Sequence, residues 1–134
     1  MAKNTIYAYL IGNEFKEIDG PIVEQINSFI DQQKWTCSEI WAVNQQKKDE
    51  DGFIKWELGI NLDLPDPDHE PPGWFEDVKA IISFCVITRK RYNHDIVIGI
   101  SDNERGITED IVEIDSDEPD IEYIKNFIGI EPPT

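Results

Sequence analysis

Ile54-Lys55-Trp56-Glu57-Leu58-Gly59-Ile60-Asn61-Leu62-Asp63 alternates without a break. Ile54, Trp56, Leu58, Ile60 and Leu62 fall on one side; Lys55, Glu57, Gly59, Asn61 and Asp63 fall on the other. A period of two places these sets on opposite faces of a strand. Such a strand buries one face, and that face needs a second layer. The fold class follows from finding that layer in the rest of the chain.

Upstream, Lys47-Lys48-Asp49-Glu50-Asp51-Gly52 is a hairpin loop marked by its Asp-Gly pair. It joins back to a strand over residues 39–46 carrying Ile40, Trp41, Ala42 and Val43. Further upstream, Asp19-Gly20-Pro21 signals a helix start. Ile22, Val23, Ile26, Phe29 and Ile30 then recur at helical spacing, with Glu24, Gln25, Asn27 and Asp31 on the opposite side. Residues 5–11 read as a first strand ended by Gly12-Asn13, apolar on both faces.

Downstream, residues 64–73 hold four prolines and read as a stiff loop within a single domain spanning residues 1–134. A helix over residues 74–91 carries Phe75, Val78, Ile81, Ile82, Cys85 and Val86 as its apolar stripe. Glu76 and Asp77 lie in its first turn and Arg89-Lys90-Arg91 in its last, as the helix dipole favours. The β-branched cluster at residues 83–88 is the one place where a strand competes. Residues 94–101 form a strand, 102–106 a turn, and 107–114 an edge strand blunted by charge. A last helix runs over residues 119–128, with Ile121, Ile124 and Phe127 inward and Gly129 as its C-cap.

The order is βαββαββα. It specifies an α+β domain whose four- to five-stranded antiparallel or mixed sheet has helices packed on it. The first six elements match the split βαβ arrangement of ferredoxin-like sandwiches.

Composition narrows the function. Forty per cent apolar residues, with four Trp, six Phe and four Tyr, argue for a packed core over disorder. No apolar run approaches the roughly 18 residues of a membrane span. The N-terminus lacks the pattern of a secretory signal and reads as the opening strand of a cytoplasmic protein. Cys37 and Cys85 have no partner at metal spacing and read as reduced, buried thiols.

The net charge is −16, and residues 102–122 contribute −9 of it, with ten acids against Arg105. Nucleic acid and anionic membranes are poor partners for such a chain. Asp117, Glu118 and Asp120 surround a helix N-terminus, where negative charge is stabilising. Glu109, Glu113 and Asp115 fit the solvent face of an edge strand. Asp102, Glu104 and Asp110 lie outside that helix, and the tract reads either as solvated surface or as a docking surface for a basic protein, with a metal site the remaining alternative.

A second acidic group is Asp63, Asp66, Asp68, His69 and Glu70, followed by Trp74 and Phe75. It lacks the Gly-centred spacing of a Ca²⁺ loop, and its prolines stiffen the backbone. An aromatic beside acids has the composition of a protein-binding hot spot. The partner-binding set is therefore Asp66, Asp68, Glu70, Trp74, Asp102, Glu104, Asp110, Asp115 and Asp117.

No motif names a reaction. His69 and His94 lack a Ser or Cys at recognisable spacing, and no Gly-rich phosphate loop is present. The sequence implies no catalytic residue, metal or cofactor. The expected function is a cytoplasmic binding protein that docks on a basic protein partner. Its most concrete form is a bacterial immunity or antitoxin-type inhibitor that covers the cationic cleft of a toxin nuclease. The alternatives are a structural or regulatory module whose acidity serves solubility, and an enzyme using convergent Asp/Glu carboxylates as acid and base, for instance Glu57 or Asp63 with Asp102. The edge at residues 107–114 also suits pairing with a second copy as a homodimer.

Overall fold

A computed structural model describes residues 3–12, 15–36, 39–48, 50–65, 73–116 and 118–128. The sequence assignments at Cys37, Asp66, Asp68, His69, Glu70, Asp117 and Gly129 lie outside these residues, as do the side chains of Ile54, Lys55, Phe127 and Ile128.

The elements are β1 (Asn4–Leu10), α1 (Asp19–Gln32), β2 (Ile40–Lys48), β3 (Ile54–Asp63), α2 (Trp74–Tyr92), β4 (Ile96–Asp102), β5 (Ile107–Ile114) and α3 (Ile121–Ile128). They form an α+β domain. The strands lie in the order β2-β3-β1-β4-β5, and every pairing is antiparallel. Among the described residues the sheet is wholly antiparallel, not the mixed sheet that the sequence also allowed. The β-branched residues 83–88 are helical within α2, where they continue its buried stripe through Phe84, Cys85 and Thr88.

Sheet register sorts the side chains. Residues directly opposite on neighbouring strands share a face. Ile6, Ala8 and Leu10 of β1 therefore align with Leu58, Ile60 and Leu62 of β3 and with Ile96, Ile98 and Ile100 of β4. This face packs on Ile22 and Ile26 of α1, Val78, Ile81, Ile82 and Cys85 of α2, and Ile124 of α3 in one core cluster. Tyr7 and Val43 are also buried, yet they stand outside that cluster. They belong to the opposite, open face.

Local chemistry fixes the element ends. Pro21 is the third residue of α1, where a missing N–H breaks no helical bond. Helix α2 ends at Asn93, which adopts a left-handed conformation (φ 55°) and donates its N–H to the Arg89 carbonyl at 2.8 Å. Asp120 caps α3 by accepting the Tyr123 N–H at 3.0 Å. Buried Asp77 accepts the Thr36 N–H with both carboxylate oxygens, at 3.0 and 2.9 Å, and so ties the segment after α1 to the first turn of α2.

Candidate functional site on the open sheet face

The open face is a lattice of short rows that follow from the register. One row runs Val43, Gly59, Tyr9, Val97, Glu113. The next runs Trp41, Asn61, Tyr7, Gly99, Asp110. A third holds Asp63, Thr5, Ser101 and Thr108.

Glycine shapes the second row. A Cβ on Gly99 would lie 2.1 Å from the Tyr7 hydroxyl oxygen. The bare backbone lets the Tyr7 phenol lie across β4 and donate to Asp110 Oδ1 on β5 at 2.5 Å. Tyr9 donates to Asn61 Oδ1 at 2.8 Å, and the two tyrosine rings stack with centroids 5.0 Å apart.

A β-bulge decides which acids reach this face. Val112 stands opposite Ile98, and Asp110 stands opposite Gly99, so Ile111 is an extra residue in β5. Strict alternation would put Asp110 and Glu113, three apart, on opposite faces. The bulge puts both on the open face while Ile111, Val112 and Ile114 pack against the core. It also corrects the sequence grouping of Glu109 with Glu113: Glu109 stands opposite Ile100, on the other face.

A cavity of about 400 Å³ opens here. Among the described residues its lining includes Tyr7, Tyr9, Ile11, Trp56, Glu57, Val97, Asp110 and Glu113, with three carboxylates and no Lys, Arg or His. Glu57 is engaged from the β2 edge by Lys47 at 3.0 Å and by the Gln45 amide at 2.9 Å. Both tyrosines feel the negative surroundings. Burial first, then the hydrogen bond to Asp110 and its charge, holds the Tyr7 phenol well above its ordinary range. Burial and then the charge of Glu57 push Tyr9 up to about 12. Both therefore remain protonated donors at neutral pH.

The residues expected from sequence are placed as follows. Asp110 lies at the cavity. Glu104 and Asp115 are exposed near opposite ends of β5, roughly 25 Å apart at the usual strand rise. Asp102 has a structural task, accepting the Glu104 and Arg105 N–H groups at 3.1 Å inside the β4–β5 turn. Trp74 is 1 % exposed, packed edge-on to Phe75, and belongs to the core instead of a contact surface. As the first residue of α2, it faces inward beside Val78 and Ile81.

The convergence of Glu57 or Asp63 with Asp102 does not form. By register Glu57 and Asp63 lie on the open face and Asp102 on the other, and Asp63 instead accepts the Thr5 hydroxyl at 2.7 Å. Asp102 aligns with Asn4 and Ile107, off the rows that hold Asp63. Sequence reasoning missed Tyr7, Tyr9, Glu57 and Glu113 as one group. The signal that bears on it is the pair of adjacent β-branched residues, Ile111-Val112, inside an otherwise alternating acidic strand.

Arg89 of the basic patch is bonded within the chain, to Asp95 at 3.0 Å. His94 packs edge-on to Phe15. Among the described residues, no group of three or more His, Cys, Asp or Glu is arranged to hold a metal ion, and no helix is long and apolar enough to cross a membrane. No family model, curated protein or solved structure matches this chain.

Proposed function

We propose that this protein is a small acidic binding protein that docks on a basic protein partner through its open sheet face and the adjoining strip of β5. One observation carries the reading: the bulge in β5 turns Asp110 and Glu113 toward Glu57 and two tyrosines, around a cavity whose lining, among the described residues, holds no basic side chain. Glu57 is paired with Lys47, but Asp110 and Glu113 make no ion pair among the described residues, and carboxylates of that kind beside aromatic surface suit a cationic partner, which they steer in by long-range attraction. The most concrete form remains a cytoplasmic bacterial immunity or antitoxin-type inhibitor. Its carboxylates would occupy the phosphate positions of a toxin nuclease.

The test begins with the gene's neighbours, one of which should encode a larger protein with a basic C-terminal domain. Binding of that purified product should weaken over tenfold in a Glu104→Lys/Glu113→Lys double variant. Both side chains are exposed and make no ion pair within the described residues, so the thermal midpoint should barely move. Asp102 is avoided because reversing it also breaks the turn. Unchanged affinity, or association indifferent to salt, would leave solubility as the purpose of the charge.

A further inference from the structure

We infer that the open-face cavity is a receptor for one arginine side chain of the basic partner. The inference rests on the docking reading and gives it a specific chemistry. The volume of about 400 Å³ suits a single side chain or small ligand far better than a helix or strand. Ile11 and Val97 supply apolar wall for a methylene stem.

The tyrosine rings stack on each other, 24° from parallel with centroids 5.0 Å apart, and the half-buried Tyr9, not the buried Tyr7, supplies the accessible aromatic surface. A planar guanidinium stacks on such a surface and is attracted to its π-face. Asp110 and Glu113 then arrive from β5, while Glu57 approaches from β3 with its Oε1 already held by Lys47 and Gln45. A guanidinium has five donors in a fixed fork and can address acids in two directions while stacked. An ammonium is a point charge and satisfies one direction at a time. Charge complementarity thus selects a cation, and the Tyr9 ring beside the two carboxylates of β5 favours a stacked, forked guanidinium over an ammonium.

The probes are two nine-residue peptides, all arginine and all lysine, titrated into the intact protein at physiological salt with amide chemical shifts as the readout. The arginine peptide should bind at least fivefold more tightly. Its largest shifts should fall on Val97, Gly99 and Glu113, away from the β4–β5 turn. In an Asp110→Asn/Glu113→Gln variant the arginine preference should drop toward unity, while residual binding along the β5 strip survives. Equal affinity for the two peptides, with shifts spread along β5, overturns the arginine receptor and leaves docking intact. Failure of both peptides to bind even at low salt overturns both readings.

Discussion

Tyr7 and Tyr9 carry the most consequential local chemistry. Each phenol is held protonated by burial and by nearby negative charge, Tyr9 up to about 12 from an ordinary 10.0. The unfolded chain ionises these groups first as pH rises. Their contribution to stability is therefore complete below pH 10 and is lost as pH climbs from there through about 12. Urea midpoints measured across that window should fall for the wild type and fall less for a Tyr7→Phe/Tyr9→Phe variant. Parallel curves would show that the phenols do not set the alkaline limit. Cys85 follows the same logic: full burial pushes its thiol up to about 12, which makes it an inert part of the core, as its apolar neighbours in the sequence suggest.

At the level of elements, Gly99 matters because Tyr7 passes over it to join β1 to β5 across β4. A Gly99→Ala substitution sets a methyl 2.1 Å from the Tyr7 oxygen and 2.7 Å from the Glu109 carbonyl. The phenol must leave, and its hydrogen bond goes with it. Overpacking and a lost buried bond together should cost about 2–4 kcal/mol in urea unfolding. A cost under about 0.5 kcal/mol, the range of an ordinary surface change, would mean the strap is not tight. The elements themselves were legible. The faultless alternation of β3 and the 3.6-residue stripes of α1 and α2 are one-dimensional consequences of burying one side. Strand β2 runs two residues past its expected end, because Lys47 and Lys48 continue the ladder opposite Lys55 and Ile54. Cross-strand partners set that end, and no local propensity of lysine announces it.

For the whole molecule, the decisive quantity is a charge of −16 distributed unevenly over a sheet. The edge strand β5 bears the acids, while the opposite edge, β2, ends in Lys47 and Lys48. A strip roughly 25 Å long acts as one unit at 0.01 M salt, where screening extends about 30 Å, and as separate charges at 1 M, where it extends about 3 Å. Self-repulsion should therefore relax with sodium chloride, and the thermal midpoint should rise over that range. A flat or falling midpoint would show that the strip is already neutralised within the fold.

The alternation of β3, the helical stripes and the acidic composition follow from the order of residues, because burial against a neighbouring layer acts on each segment through its own period. Whether Asp110 and Glu113 share a face is a different matter. It depends on one extra residue in β5, stabilised only where Ile111, Val112 and Ile114 find a core to enter. Glu57 joins them because β3, β1, β4 and β5 lie side by side, an adjacency that local sequence does not encode. Packing across the sheet assembled the site, since the free energy that selects the bulge resides in contacts between distant parts of the chain.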